Sequence, residues 1–544
     1  MKGKKILVIG VVIIFILLQC SILTLNVNAE TINGSSEGVN WNYDSGTETL
    51  TFSGNGKITD SWKVNITKER VRKVIIENGT TSIEEHAFNN CTQLTTIEIP
   101  NSVTNIGNVA FSGCEKLTSI EIPSSVTSIG SSAFAKCKGL TGIEIPNGVT
   151  SIKGATFQEC TGLTSIKIPN SITSIGDYAF VMCTGLTSIE IPNSVTSIGK
   201  NAFYGCKELV NVKIPNNVTN LESSVFLYCE KITSIEVDDN NDKYCSLDGI
   251  VYDKNKTTIV CYPSGRKGNY KILSNVTKIE NEAFKGCKEL TGIEIPDSVT
   301  SIGDSAFDDC IGLTIVEIPN NVTSIGSFAF SNCTGITKII IPSSVTSTRT
   351  IFNNFSGTIY CRSNSTIKQY AEENNILFVT DDTAPVITSA TQNNEYIKII
   401  ATDNTGVGLS NKAYSLDNKN WFANNEIKIE KGGEYTIYVR DKLDNIATDT
   451  INVIIAETNN ENNQNKEETK DNTIKDEQIQ NDDKNNTKIE GNAKQEYKNE
   501  KTDKTTANKP LSQTGNSFIL TGVVIVSIMA CMVFYKKNKS LNWK

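Results

Sequence analysis

The sequence predicts a mainly β protein in which a solenoid of 23-residue repeats is followed by a β-sandwich and a disordered tether. A Phe–x–x–Cys pair recurs ten times, with a step of 23 residues inside each of two blocks. Short alternating segments follow at the spacing of sandwich strands, and then a long polar stretch without periodic apolar residues. A fixed period in the twenties is typical of a solenoid, because each repeat buries its apolar face only against its neighbours.

The first part of each repeat has the pattern L-x-x-I-x-I-P and predicts a short strand. In one copy Ile120 and Ile122 alternate with Glu121, so the two apolar side chains point inward and the carboxylate points outward. Pro123 ends the strand because it cannot donate to a ladder, and nine of the twelve prolines occupy this phase. The strand and its stop are therefore features of every coil.

The rest of the repeat, V-x-x-I-G followed by A-F-x-x-C, predicts the other two sides of the coil. Val126 and Ile129 turn inward on the returning side, Gly130 opens the next bend, and Phe134 with Cys137 closes the coil. The ten pairs are Phe88/Cys91, Phe111/Cys114, Phe134/Cys137, Phe157/Cys160, Phe180/Cys183, Phe203/Cys206, Phe226/Cys229, Phe284/Cys287, Phe307/Cys310 and Phe330/Cys333.

This repeat resembles the BspA-type leucine-rich repeat of bacterial surface proteins over residues 71–380. The resemblance implies a curved leucine-rich-repeat solenoid with a parallel sheet on one side. It also implies a surface protein that adheres to host or matrix proteins or to neighbouring cells. Fold alone does not fix function, because leucine-rich repeats serve many partners.

Composition excludes several classes of function. The formal charge of -8 argues against a nucleic-acid binder. The single histidine, His86, leaves no Ser-His-Asp triad and no two-histidine metal site, and we interpret it as a surface residue. We therefore predict no enzyme, no catalytic residue, no metal and no cofactor.

The N-terminal residues predict secretion. Lysines at positions 2, 4 and 5 precede an apolar run, and Val27-Asn28-Ala29 offers a cleavage site, so residues 1–29 read as a signal peptide. A lipoprotein at Cys20 is the alternative, which Gln19 disfavours. Residues 30–70 lack the repeat and contain turn-separated alternating segments, which predict an N-terminal β cap over the exposed end of the solenoid.

Two further segments interrupt or end the repeats. Residues 238–270 form an insertion with strands near Gly249 and Thr258, interpreted as a protruding hairpin with two cysteines outside the repeat phase, Cys245 and Cys261. Their pairing stays open, since two strands can bring them together. Residues 348–380 are predicted to form the C-terminal cap, with a helix from Ser363 to Glu373 and a final strand.

Residues 382–456 read as separate β-strands and resemble the bacterial Ig-like modules of surface proteins. The segments that carry this resemblance start at Thr402 and Tyr438. Asp403, Asp441 and Asp444 in those segments can bind calcium, but such residues are more often turn formers, and we favour that interpretation.

The C-terminal part resembles a Gram-positive sorting signal. Residues 457–509 are almost entirely polar and predict a disordered wall-spanning linker. Residues 510–544 contain an apolar membrane segment, 518–535, a basic end, and the motif Leu511, Ser512, Gln513, Thr514 and Gly515. The resemblance implies that a sortase cleaves after Thr514 and joins it to peptidoglycan, so that the protein contacts the membrane only before sorting. Ser512 replaces the proline of the common motif, and a plain membrane anchor is the alternative.

The cysteines at repeat phase are predicted to be buried and reduced. Stacked coils lie about 4.8 Å apart, whereas the Cβ atoms of a disulfide lie about 3.5–4.5 Å apart. The thiols then fill the core as small apolar groups.

The outward position of the I-x-I strand gives the candidate binding face. Its members are Glu98, Glu121, Glu144, Lys167, Glu190, Lys213, Glu236, Glu294 and Glu317, and Ile340 continues the column. One interpretation is a solvated surface, and the other is an acidic, hydrogen-bonding platform for host matrix proteins, cell-surface proteins or glycans. Three functions follow: an adhesin-like surface protein, a structural wall protein without a specific ligand, or a surface hydrolase, in decreasing order of support.

Overall fold

The computed structural model describes residues 30–455, apart from the side chains of residues 347 and 348. The protein is mainly β, as predicted, and a solenoid occupies most of this range. The predicted signal peptide, linker and sorting signal lie outside the described residues. Within the described range, no helix has the length and apolar character needed to cross a membrane.

The I-x-I segments stack into a first parallel ladder. Equivalent residues one coil apart are paired, as in Ile143 with Ile166 and Val212 with Ile235. The ladder is hydrogen-bonded in pieces rather than continuously. Its strands are β3 (Thr49–Gly54), β5 (Lys73–Ile76), β7 (Thr96–Glu98), β10 (Gly142–Glu144), β12 (Ser165–Lys167), β15 (Asn211–Ile214), β17 (Ser234–Val237), β21 (Gly268–Lys271), β23 (Leu290–Glu294), β25 (Ile315–Glu317), β27 (Lys338–Ile340), β29 (Thr358–Cys361) and β30 (Phe378–Thr380).

A second parallel ladder lies on the returning side of each coil. The sequence predicts only inward-facing residues there, followed by a bend. Ser174 pairs with Ser197 and Ile175 with Ile198. Most of these strands are two residues long, which is too short for an alternating pattern. They are β4 (Lys57–Ile58), β6 (Ser82–Ile83), β8 (Asn105–Ile106), β9 (Ser128–Ile129), β11 (Ser151–Ile152), β13 (Ser174–Ile175), β14 (Ser197–Ile198), β16 (Asn220–Leu221), β20 (Thr258–Cys261), β22 (Lys278–Ile279), β24 (Ser301–Ile302), β26 (Ser324–Ile325) and β28 (Ser347–Thr348).

Aromatic rings and thiols fill the third side of the coil. Phe180 stacks between Phe157 and Phe203, with ring centroids 5.3 and 5.2 Å away. The cysteines of the repeat are buried and free, as predicted. Most of these thiols have a polar contact as well; for example, Cys160 Sγ donates to the Phe134 carbonyl of the preceding coil at 3.0 Å.

The N-terminal segment covers the first coil with a hairpin. Strands β1 (Thr31–Ser36) and β2 (Val39–Asp44) are antiparallel, and β2 pairs with β3. Strand β3 already pairs in parallel with β5, so the ladder starts inside the segment predicted as the cap. Two 3₁₀ helices follow, Asp60–Val64 and Lys68–Arg70. The first places Trp62 in the core, where Nε1 donates to the Ala87 carbonyl at 3.0 Å.

The insertion is not a protruding hairpin, and that prediction was wrong. Strands β18 (Tyr244–Leu247) and β19 (Ile250–Asp253) are antiparallel, but Ile250, Val251 and Tyr252 are all buried. The segment follows the 3₁₀ helix Ser223–Phe226 and completes an irregular coil. Its strand β20 pairs with β22 of the second ladder, and its strand β21 pairs with β23 of the first ladder. The ring of Tyr262 continues the aromatic stack, 4.8 Å from Phe284.

The same coil corrects the placement of one cysteine. Cys261, predicted to lie outside the thiol ladder, is buried and free. Burial raises the pKa of the neighbouring Cys287 thiol, and Cys261 raises it further. Cys287 Sγ is directed at the Tyr262 carbonyl, as other ladder thiols are at a phenylalanine carbonyl. Cys261 therefore belongs to the ladder, while Cys245 is free and half-exposed.

The C-terminal cap contains the predicted helix, α1 (Thr366–Glu373). The Ser365 side chain caps it by accepting from the Lys368 amide. Ile367, Tyr370 and Ala371 face the core. Strand β30 then ends the first ladder by pairing with β29.

Two three-stranded antiparallel sheets follow the solenoid and share one apolar core, as expected for a β-sandwich. The order of strands is β31-β32-β34 in one sheet and β33-β35-β36 in the other. The strands are β31 (Val386–Asn393), β32 (Tyr396–Thr402), β33 (Leu409–Ser415), β34 (Glu426–Lys428), β35 (Gly433–Asp441) and β36 (Ile446–Val453). The relation of this β-sandwich to bacterial Ig-like modules stays a prediction.

Candidate functional site

The candidate site is the outward side of the first ladder, named here the strand face: Glu98, Glu121, Glu144, Lys167, Glu190, Lys213, Glu236, Glu294 and Glu317. The parallel register aligns its members, since Glu144 pairs with Lys167 and Lys213 with Glu236. All are exposed except Glu317, which is half-buried. Glu121 and Glu190 lie in coils whose I-x-I segment is not a full strand, where Ser188 makes a single bridge to Asn211.

Lysines neutralise part of the strand face. Glu98 lies 2.7 Å from Lys73, and Glu144 lies 2.5 Å from Lys167. Glu294 is paired at 2.5 Å with Lys271, which directly follows the insertion and occupies the same repeat phase one coil earlier. Lys271 was not predicted from the sequence, because Tyr270 and Leu273 replace the first isoleucine and the proline of the strand motif in this coil. The face is therefore less acidic than its repeat residues alone indicate.

Three carboxylates of the strand face stay without a basic partner. Glu121, Glu190 and Glu236 are exposed, and no Lys or Arg nitrogen of residues 30–455 comes within 4.0 Å of them. Exposed unpaired carboxylates keep their full charge available to a ligand. They are the acids of the face that a basic or hydroxyl-rich partner can reach.

A shallow depression of about 650 Å³ surrounds two of these acids. We call it the Glu190 groove and define it by Ser188, Glu190, Asn211, Lys213, Ser234, Glu236 and Asp238. Its floor contains the buried Ile189 and Val212. Lys213 is held 3.0 Å from Asp238, and this hydrogen bond raises the pKa of Lys213. The groove thus offers hydroxyl, amide and carboxylate groups beside one fixed ammonium.

The C-terminal end of the strand face is covered by the β-sandwich. Glu317 is paired with Lys442 of the sandwich. Ile340 is buried with Val407 and Leu443 in a small apolar cluster between the two parts. The sequence predicts Glu317 as part of the open face, but the half-buried, paired carboxylate is not available there. Sequence periodicity gives no information on this contact, because its partners on the sandwich side, such as Lys442, lie outside the repeats.

A polar junction extends the same contact. Lys338 places its ammonium over the Tyr360 ring at 4.5 Å and donates to the Gly406 carbonyl of the sandwich. Burial lowers the pKa of Lys338. Lys412 of the sandwich lies 3.3 Å from Asp297 of the solenoid. The sandwich is therefore docked on the solenoid by charged as well as apolar contacts.

Among residues 30–455, the cysteines of the repeat are buried and the single histidine lies on the surface. Burial raises the pKa of the Cys91 and Cys160 thiols to about 12, so they stay protonated at neutral pH. His86 lies on the surface, with Nε2 3.4 Å from Glu85 and Nδ1 3.1 Å from Asn89. It contacts no cysteine, serine or threonine hydroxyl in these interactions.

An acidic cluster lies at the junction instead. Carboxylate oxygens of Asp381, Asp403 and Asp441 all lie within 4.8 Å of one another. Asp403, Asp441 and Asp444 are the aspartates predicted as turn formers or calcium ligands. Asp444 does not belong to the cluster and instead pairs with Arg440 at 3.1 Å. Asp381 directly follows β30 and precedes the sandwich, and it was not among the site residues predicted from the sequence. Burial raises the pKa of Asp441.

Comparison with known proteins fits this architecture. The family described as BspA type Leucine rich repeat region (6 copies) matches residues 67–186, 150–259 and 261–376. Together these matches cover more than half of the 544 residues. The chain belongs to the BspA-type leucine-rich repeat family. No curated protein sequence matches it.

Solved structures of bacterial leucine-rich repeat proteins are similar to this BspA-type chain. A leucine rich cell surface protein from Faecalibacterium prausnitzii is 26% identical, covering 63% of this chain and 98% of that one, with a TM-score of 0.43. A leucine-rich repeat protein from Bacteroides ovatus is 25% identical, covering 65% and 98%, with a TM-score of 0.41. One from Eubacterium ventriosum is 25% identical, covering 61% and 79%, with a TM-score of 0.33.

The BspA-type repeat explains why the strand face can vary without loss of the fold. The repeated Ile, Phe and Cys residues are the buried ones, as Ile143, Phe157 and Cys160 illustrate. The strand face occupies the exposed position between the two isoleucines. Its residues differ between coils, from Glu144 to Lys167 to Glu190, at little cost to folding.

Proposed function

We propose that the protein is a cell-wall-anchored surface protein whose solenoid binds protein or glycan partners, in an adhesin-like role. The Glu190 groove carries this proposal. It combines two exposed, unpaired carboxylates, Glu190 and Glu236, with the small polar side chains of Ser188, Asn211 and Ser234. Regular coils fix their spacing, so the groups are presented on a rigid surface.

The chemistry of the groove favours basic side chains or sugars as ligands. Its size of about 650 Å³ is within the range of ligand sites. Carboxylate, amide and hydroxyl groups accept hydrogen bonds from sugar hydroxyls, and the carboxylates also pair with Lys or Arg. The exposed acids contribute steering and specificity more than stability.

The termini support display at the cell surface. Residues 1–29 have the pattern of a signal peptide, and residues 457–509 have the composition of a disordered spacer. The motif from Leu511 to Gly515 precedes an apolar segment and a basic end, in the order of a sorting signal. Sortase would then be a processing partner, and peptidoglycan would be attached through Thr514.

Charge reversal in the groove tests the binding role. In the variant Glu190→Lys with Glu236→Lys, we expect attachment of protein-coated beads to host matrix proteins and to a glycan array to fall at least about tenfold, because like charges now repel a basic ligand. The free energy of unfolding should change by less than about 0.5 kcal/mol for each site, because both side chains are exposed.

The control makes the same charge change away from the groove. Glu69→Lys with Glu77→Lys alters two exposed acids near the N-terminal cap and should leave attachment unchanged. If the groove variant attaches as well as the natural protein, the groove is a solvated surface only. If the natural protein itself attaches to nothing, a structural role in the wall is favoured.

Wall anchoring has its own test. We expect Thr514→Ala to remove the protein from the muramidase-released wall fraction, because the carbonyl of this residue is the proposed attachment point. Ser512→Pro is the matched control and should retain or increase wall linkage, since proline restores the common motif. Immunoblots of wall, membrane and medium fractions measure both. Wall-linked Thr514→Ala protein would contradict the proposal, and equal membrane retention of every variant would favour a plain membrane anchor.

A further inference from the structure

The acidic cluster at the junction of solenoid and sandwich has an arrangement that the binding role does not explain. Asp381 follows the last solenoid strand, Asp403 follows β32 of one sheet, and Asp441 ends β35 of the other sheet. Their carboxylate oxygens lie within 4.8 Å of one another. Asp381 and Asp441 are buried, 3% and 0% exposed, and Asp403 is half-buried.

Hydrogen bonds hold these carboxylates but do not neutralise them. Asp441 accepts from the amides of Leu443 and Asn445, both at 2.8 Å. Asp403 accepts from the Gly408 amide, and the Thr405 hydroxyl lies within hydrogen-bond distance of both Asp403 and Asp381, so its single proton bonds to one of them at a time. In the part of the chain that the structure describes, no Lys or Arg nitrogen lies within 4.0 Å of any of the three. Buried charges of one sign are costly unless a cation compensates them.

Asn445 supplies an independent sign of a missing partner. Its side chain points into the cluster, where Nδ2 donates to Asp441 Oδ2 at 2.7 Å and to the Asp381 carbonyl at 3.1 Å. The residue is 3% exposed, and its Oδ1 is buried without any hydrogen bond within residues 30–455. A buried amide oxygen without a donor is rare in folded proteins. A half-turn of the amide would direct this oxygen at the carboxylates, which is favourable only if a cation lies among them.

We propose that Asp381, Asp403 and Asp441 bind one calcium ion, with Asn445 Oδ1 as a further ligand, and that this ion fastens the sandwich to the solenoid. The ligands are all hard oxygens, which calcium and magnesium prefer. Two oxygens on one calcium ion can be as far as about 5 Å apart, since each Ca–O distance is about 2.3–2.6 Å. Magnesium requires about 2.0–2.1 Å and a near-ideal octahedron, whereas calcium accepts the irregular geometry of ligands that come from separate strands.

Calcium titration of the full-length protein tests this site. After treatment with EDTA and removal of the chelator, we expect isothermal titration with CaCl₂ to show one ion per chain, with Kd on the order of 10⁻⁴ M or tighter. The melting temperature should rise with CaCl₂ and return when EDTA is added, because the ion binds only the folded junction. Protease cleavage between residues 381 and 385 should slow in the same samples.

Isosteric variants locate the ion. We expect Asp403→Asn to weaken calcium affinity about tenfold or more, because it removes a charged ligand while keeping its shape. Asp403 is the least buried of the three, so this variant should still fold, and Asp441→Asn is the second variant. Asp449→Asn is the control, because it removes the same charge from an exposed position of the sandwich.

Three results would overturn the proposal. The first is a natural protein whose calcium titration shows no heat and whose melting temperature does not change. The second is full calcium affinity in Asp403→Asn, which would place the ion elsewhere. The third is a response to MgCl₂ without one to CaCl₂, which would exclude calcium as the ion.

Discussion

Replacing Phe180 by alanine is expected to lower the free energy of unfolding by about 3–5 kcal/mol. Its ring is fully buried and stacks on Phe157 at 5.3 Å and on Phe203 at 5.2 Å. The substitution removes apolar surface from the core, leaves a cavity, and breaks two aromatic contacts worth about 0.5–1.5 kcal/mol each. Each coil of a solenoid is stabilised by its neighbours, so the substitution weakens the contacts of this coil with the coils on both sides.

Urea unfolding followed by circular dichroism measures this loss. Phe328→Ala is the matched control: the residue is 44% exposed, so alanine there should lower the free energy of unfolding by about 1 kcal/mol or less. A change below about 1 kcal/mol for Phe180→Ala would mean that the stacked rings are not the core of the coil.

The repeats made most of the solenoid predictable from the sequence. A step of 23 residues places Ile143 beside Ile166 whatever the exact coil geometry, and alternation with Glu144 decides which side is buried. The second ladder was not predictable in the same way. Its strands, such as Ser128–Ile129, are two residues long and look like part of a turn. Their pairing depends on the neighbouring coil, which local sequence does not describe.

Departures from the repeat were the least predictable features. The hairpin around Ile250 lacks the repeat phase, so its burial and the roles of Cys261 and Tyr262 in the core depend on tertiary contacts. The pairing of Glu317 with Lys442 joins residues 125 positions apart. Such contacts have no periodic signal, so the covering of this end of the strand face could not be predicted from the sequence.

The junction shows the same limit for the candidate metal site. Asp403 and Asp441 could be named as candidate calcium ligands from the sequence, because they lie in Asp- and Asn-rich turns. Asp381 could not be named in this way, since it lies in the link between two predicted domains. Only the docking of the sandwich brings the three together. Of the strand face, the sequence predicted the exposed column well, but it did not predict which acids have lysine partners.

The second large effect is expected at alkaline pH, where the buried thiols should make the solenoid unstable. Burial raises the pKa of Cys91, Cys160 and Cys333 to about 12, and that of Cys114 and Cys183 above its usual value. An unfolded cysteine has a pKa of about 8.5. Above that pH the unfolded chain therefore binds fewer protons than the folded chain, and stability falls as pH rises.

The size of the effect follows from the number of thiols. The contribution of each buried thiol to the free energy of unfolding is fully present below about pH 8.5. Between that pH and the pKa of the folded thiol, this contribution falls by about 1.4 kcal/mol per pH unit. Ten cysteines share the repeat phase, so the combined slope approaches about 14 kcal/mol per pH unit. A typical domain has only about 5–15 kcal/mol of stability. We expect cooperative unfolding between about pH 9 and 10 in the presence of a reductant.

Circular dichroism from pH 8 to 10.5 and labelling by a thiol reagent measure this transition together. Thiols of the repeat should react only in samples where the β signal is lost. The control variant Cys137→Ala, Cys160→Ala and Cys183→Ala starts less stable but should have a slope smaller by about 4 kcal/mol per pH unit, because three titrating groups are gone. A protein equally stable at pH 8 and pH 10 would contradict a ladder of protonated thiols, and disulfides found by mass spectrometry between repeat cysteines would explain that result.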